Sequence, residues 1–169
     1  IYRPFNIINP YEMANDGSTQ GTHHVFADFL YNIVVQKKSP LPIIGDGSQI
    51  RCFTWHEDVA SGIVANLDNP DTINQTFNLG STDAVTMRLL AEMIMEIAKL
   101  NGYLDVNYML DFETIKSYDD DVKTRIPNVD KARDILGWEA TTSLYDSVET
   151  CVRQLMSIKA VEKPEHFYL

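Results

Sequence analysis

Short runs rich in β-forming residues alternate along this chain with segments whose apolar residues recur at helical spacing, and that alternation restricts it to a mixed α/β fold. Strands are expected at 1–8, 49–55, 76–79 and 106–110, with a short extended piece at Ile43-Ile44 after Pro40 and Pro42. Helices are expected at 22–37, 56–67 and 86–100. Their stripes are Val25, Phe26, Phe29, Leu30, Ile33 and Val34, then Val59, Ile63, Val64 and Leu67, then Met87, Leu90, Ile94 and Ile97. Thr22, Thr86, Asp130 and Ser143 read as N-caps, and Gly102 and Gly137 as stops. The last helix carries Leu144, Val148, Val152 and Leu155. Residues 11–21 read as a loop, 111–127 as an acidic irregular stretch, and 159–169 as a flexible tail.

At 169 residues the chain fits one domain with a core of ordinary size. Fourteen basic residues against twenty-four acidic ones give a net charge of -10. Nucleic-acid affinity comes largely from Lys and Arg neutralising phosphates, so that class of partner is set aside. No apolar run approaches the roughly 20 residues of a membrane span, and no leader opens the sequence. The expectation is a soluble, cytoplasmic protein. Cys52 and Cys151 stand in unrelated contexts, which suits two buried, reduced thiols.

Four segments carry more than composition. The first is Arg3-Pro4-Phe5-Asn6-Ile7-Ile8-Asn9-Pro10. The second is Leu41-Pro42-Ile43-Ile44-Gly45-Asp46-Gly47-Ser48-Gln49-Ile50-Arg51-Cys52-Phe53, followed by Glu57-Asp58-Val59-Ala60. The third is Phe77-Asn78-Leu79-Gly80, and the fourth is Arg125-Ile126-Pro127-Asn128 leading to Asp130-Lys131-Ala132 and Leu136-Gly137-Trp138. In this order and spacing they resemble the extended short-chain dehydrogenase/reductase superfamily, whose nucleotide-sugar epimerases, dehydratases and decarboxylases are the nearest look-alikes. The resemblance implies the C-terminal, substrate-binding portion of such an enzyme over 1–158. It also implies that 1–8 and 76–79 are late strands of the Rossmann-type sheet.

Two features of that superfamily are missing. The glycines never form the Gly-x-x-Gly-x-x-Gly turn that lets backbone approach a dinucleotide pyrophosphate, and no tyrosine has a lysine four residues later. By resemblance, both lie upstream in the parent enzyme. The parent is expected to use NAD or NADP, whereas this chain alone is expected to bind neither and to hold no catalytic residue. Its expected partners are a nucleotide diphosphate sugar and the missing N-terminal, dinucleotide-binding half, with self-association through uncovered strands. The alternative is a non-catalytic binding or regulatory module of the same descent.

A diphosphate calls for planar, permanently charged donors, and a base calls for an apolar shelf. Arg51 and Arg125 stand where the superfamily grips the diphosphate; the plainer reading of each is a surface ion pair. Asn6 matches a substrate-contacting asparagine, or else its amide closes the following turn. His24 and Val25 fall in the first turn of a helix, where free N–H groups favour anions, though His24 equally suits a solvent-facing place. Gln49 either reaches the ligand or pins the turn. Ile44 stands where an aromatic usually shelves the base, which leaves apolar contact without stacking. Asn9 and Tyr11 also depart from the pattern, and the sugar is left open.

Three other clusters carry less. His23-His24 with Asp28 diverge on a helix, so no metal is expected. Asp119-Asp120-Asp121 reads as a solvated acidic loop, and His56-Glu57-Asp58 are neighbours that cannot converge on one site.

Overall fold

A computed structural model describes residues 1–11, 24–116 and 121–162, with side chains as far as Ile158. The architecture is α/β, with short and mostly parallel pairings. Strand β1 (Tyr2–Pro4) pairs in parallel with β6 (Phe77–Leu79), and β2 (Ile7–Ile8) with β5 (Thr54–Trp55). Strand β3 (Leu41–Ile44) pairs with β8 (Phe112–Ile115), again in parallel. Strand β4 (Ile50–Cys52) is central to a fourth, three-stranded grouping, antiparallel to β7 (Ala84–Thr86) and parallel to β9 (Thr124–Arg125).

The larger core is helical. Helix α1 (Val25–Leu30) continues as a π-helical turn over Tyr31–Val35 and packs with α3 (Met87–Leu100), which in turn packs on α5 (Leu144–Glu162). Phe26, Ile33, Leu90, Ile94, Ile97, Val148 and Val152 are essentially inaccessible. Each such side chain contributes about 1.5–3 kcal/mol by leaving water. Thr86 caps α3 as its sequence suggests, its hydroxyl accepting from Leu89 N at 3.1 Å. Ser143 does the same for α5 through Asp146 N at 3.1 Å. A smaller core joins Val59 of α2 (His56–Val64) to Leu79, to Ala132 of α4 (Asp130–Leu136) and to Trp138.

Several expectations from the sequence need correction. The strand expected at 1–8 is broken at Asn6, whose φ of 37° turns the chain from its partner β6 toward β5. The strand expected at 106–110 is absent. Asp105 Oδ1 takes Asn107 N at 2.7 Å and its carbonyl takes Tyr108 N at 2.9 Å, so local turn chemistry wins there. The real strands, β8 and β9, lie inside the stretch read as irregular. Helix α2 stops at Val64 because Asn66 Nδ2 turns back to Gly62 O at 3.0 Å, and Val64 and Leu67 are exposed rather than inward. Asn128, not Asp130, closes the start of α4: its Oδ1 takes Asp130 N at 3.1 Å. Helix α5 runs on to Glu162, four residues into the expected tail, and the remainder, like the Thr22 cap, lies outside the described residues.

Candidate functional site

Parallel pairing sets Arg51 of β4 directly beside Arg125 of β9. Neighbouring strands stand about 4.8 Å apart, and paired residues leave the same face. Two guanidinium stems therefore start side by side. Arg51 is 16% exposed and fixed: Nη1 donates to Ile50 O at 2.8 Å and to Lys123 O at 3.5 Å, while Nη2 meets Asp121 Oδ1 at 3.3 Å. Arg125 is exposed.

The turn before β4 brings two further residues to this place. Gly47 has a φ of 76°, which an L side chain would adopt only with strain, and its carbonyl accepts Arg88 N at 3.1 Å. Asp46 Oδ1 accepts Ser48 N at 2.9 Å, and the hydrogen bonds from Ser48 hold the Asp46 carboxyl below the usual carboxylate range. Gln49 then donates through Nε2 to Ile44 O at 2.9 Å and to Asp121 Oδ2 at 3.1 Å. It does pin the turn, and the same nitrogen reaches the carboxylate that meets Arg51. Its Oε1 is buried with no partner among the described residues. Ile44 ends β3 pointing outward, 42% exposed, because Leu41 and Ile43 take the inward positions.

Asn6 sits one layer behind. Its Nδ2 donates to Cys52 O at 2.8 Å and its carbonyl accepts Thr54 N, so it fixes the backbone next to Arg51. His24 is exposed and precedes α1 in extended conformation, its carbonyl accepting Asp28 N at 3.1 Å. Phe26 and Phe53 meet with ring centres 6.1 Å apart, which brings the start of α1, and Val25 with it, beside the end of β4. The structure thus groups Ile44, Gln49, Arg51 and Arg125 closely, with Asn6 behind them and His24-Val25 at the margin.

Sequence reasoning missed Asp121. It stood in a run read as a solvated loop, yet its two oxygens meet Gln49 and Arg51; Asp119 and Asp120 lie outside the described residues. Nothing in the sequence reveals this, because β9 is only two residues long and its pairing sets the contact. It also missed the structural task of Asp58. Oδ2 takes Thr141 N at 3.2 Å and Thr142 N at 2.9 Å, and Oδ1 takes the Thr141 hydroxyl at 3.1 Å. Its carbonyl accepts Trp138 Nε1 at 2.9 Å, over Gly62, where a Cβ would come within 2.6 Å of the indole nitrogen.

A dinucleotide cradle does not fit the described glycines. Gly45, Gly47, Gly102 and Gly137 close turns and helix ends at positive φ, and Gly62 and Gly80 admit Trp138 and Pro127. Among the described residues no three His, Cys, Asp or Glu side chains gather as metal ligands. Burial pushes the Cys52 thiol up, so it offers no ready nucleophile. No helix of the described residues is long and apolar enough to cross a membrane. A cavity of 490 Å³ lies away from the arginines, lined by Tyr11, Trp55, His56, Glu57, Asp146 and Gln154 among others. It has no lysine or arginine, and Glu57 already takes Trp55 Nε1 at 3.2 Å, so the paired arginines outweigh it as an anion site.

Residues 1–80 match the model of the NAD dependent epimerase/dehydratase family. Over 160 residues the chain is 32% identical to UDP-D-apiose/UDP-D-xylose synthase 2 of Arabidopsis thaliana, covering 89% of this chain and 41% of that protein. It is 31% identical over 152 residues to UDP-glucuronic acid decarboxylase 1 of the same plant, covering 90% and 31%. The chain therefore spans less than half the length of these relatives. An epimerase structure from Methanothermobacter thermautotrophicus superposes with a TM-score of 0.78 at 26% identity, over 95% of this chain and 44% of that one. Motifs, strand pairing and these likenesses agree: the chain belongs to the extended short-chain dehydrogenase/reductase superfamily and its NAD dependent epimerase/dehydratase family.

Proposed function

We propose that this chain supplies the nucleotide-sugar-binding part of an NAD-dependent enzyme that epimerises, dehydrates or decarboxylates a UDP-linked sugar. The observation behind this reading is the Arg51–Arg125 pair, registered side by side on parallel strands with Gln49 next to it. Two adjacent guanidinium groups suit two linked phosphates, since each offers planar, charge-assisted donors. Ile44 gives the base an apolar wall, and His24 and Val25 stand at the margin where α1 begins. Asn6 holds the backbone beside Arg51, and Gln49 adds a neutral donor next to the phosphates. The choice of uridine follows the relatives, which are named for UDP-sugars.

Hydride transfer and proton transfer belong, in this reading, to a glycine-rich, Tyr-x-x-x-Lys-bearing portion outside these 169 residues. The chain's own contribution is binding energy that positions the reacting carbon. Titration calorimetry with UDP tests the reading. Arg51→Ala and Arg125→Ala should each weaken binding by about 1.5–3 kcal/mol, the scale of hydrogen bonds to charged groups. Arg153→Ala, an exposed partner of Glu149 on α5, should leave it unchanged. The same chain titrated with NAD should show no saturable heat and should turn over no UDP-sugar. Equal, small effects from all three arginines, or tight NAD binding, would defeat it.

A further inference from the structure

The carboxylate of Asp121 occupies the donors that the proposed ligand needs. Oδ1 lies 3.3 Å from Arg51 Nη2 and Oδ2 lies 3.1 Å from Gln49 Nε2, so one planar anion bridges two donors on one edge of the clamp. Both partners are well shielded, Arg51 at 16% and Asp121 at 25% exposure, so solvent screens the pair less than it would a free surface bridge. Arg125, next door in register, is exposed and shows no such ion pair among the described residues.

From this geometry we infer that Asp121 is a resident counter-ion that a diphosphate must displace. The inference rests on the clamp reading above. A phosphate brought against Arg51 with Asp121 in place would meet a second anion within a few ångströms, which is unfavourable at any effective dielectric. Arg51 does not need Asp121 to stay in position. Its other nitrogen is tied to Ile50 O at 2.8 Å and Lys123 O at 3.5 Å, both backbone atoms of the strand pair and of the residue leading into it. Gln49 is likewise tied independently to Ile44 O. Removing the negative charge therefore leaves a preformed donor set. In the ligand-free protein Asp121 satisfies a shielded guanidinium; in the complex it swings out, and the exchange lowers affinity below what the arginines alone provide.

A structural role predicts the opposite sign, which makes the test sharp. Asp121→Asn keeps the shape and the bond from Gln49 but removes the charge, and Asp121→Ser removes both. UDP and inorganic pyrophosphate are titrated calorimetrically into the wild-type chain, both variants and Arg51→Ala. Both Asp121 variants should bind UDP and pyrophosphate about three- to tenfold more tightly, the scale of one partly shielded charge pair. That gain should shrink in Arg51→Ala/Asp121→Asn, because the freed donor is then missing. Circular dichroism confirms that each variant is folded. If both Asp121 variants bind equally or more weakly while Arg51→Ala still loses affinity, the counter-ion role is overturned and the clamp stands. If Arg51→Ala changes nothing, or the wild-type chain binds neither probe, the clamp falls and takes this inference with it.

Discussion

Asp58 ends a His-Glu-Asp run whose members cannot converge on one site, and in space its side chain is architectural. It lies between a histidine-glutamate pair and the Val59-Ala60 that complete the family motif, but its carboxylate is turned into the protein, 8% exposed. There it takes two backbone N–H groups and a hydroxyl from Thr141 and Thr142. Removing it strands those donors in a poorly hydrated place. Asp58→Ala should cost about 2–3 kcal/mol of stability, the cost of leaving such groups without an acceptor. In a domain of this size that corresponds to a melting point lower by roughly 5–10 °C. Asp58→Asn, which keeps one acceptor oxygen, should lose less. A thermal melt in which Asp58→Ala matches the wild type would show that the loop after Trp138 is held by other contacts.

At the scale of elements, what the sequence reveals depends on how the element is stabilised. Helix α3 is legible because its apolar stripe, its Thr86 cap and its Gly102 stop all act locally. The strands are two to four residues long, and their limits are set by partners far away in sequence. Periodicity therefore finds the region of β4 but cannot see β9, and it mistakes the Asp105 turn for a strand. The candidate site divides the same way. Arg51, Gln49 and Ile44 follow from a motif on one turn, whereas the Arg51–Arg125 pairing and the Asp121 contact exist only through the β4–β9 register. Asn6 illustrates the boundary between the two. A break within an apparently continuous β run demands a residue that tolerates φ near 37°, and asparagine does so better than any branched side chain. Asn6→Gly should lose only the bond to Cys52 O, about 1 kcal/mol. Asn6→Val adds the left-handed penalty of about 1–2 kcal/mol more. Urea midpoints that coincide for the two variants would remove backbone conformation as the reason for asparagine here.

At the scale of the whole molecule, the β1–β6 pair is left unfinished. The two strands pair with each other, as the sequence motifs imply, and no third strand joins them among the described residues. Phe77 and Leu79 of β6 are buried, while Arg3 and Pro4 of β1 face outward. A free edge invites pairing with another chain, but this one is short and ends in a proline that cannot donate, so hydrogen bonding alone is a weak drive. Exposed apolar side chains are the stronger one: Ile1 ahead of β1, Ile73 ahead of β6, and Val64 and Leu67 at and just past the end of α2 are each 67% exposed or more. Burying four such side chains gains about 6–12 kcal/mol in gross terms, against an association cost estimated at about 4–15 kcal/mol. Copies of this chain should accordingly associate weakly rather than permanently. Each carries a net charge of -10, so mutual repulsion opposes contact and added salt screens it. Sedimentation velocity should therefore show a monomer that gives way to larger species as concentration and ionic strength rise together. Val64→Lys with Leu67→Lys should hold the chain monomeric under the same conditions. A wild-type chain that stays monomeric in high salt at about 100 µM, a concentration that reveals association worth roughly 5–6 kcal/mol, would mean that these side chains pack too loosely against a second copy to repay the association cost.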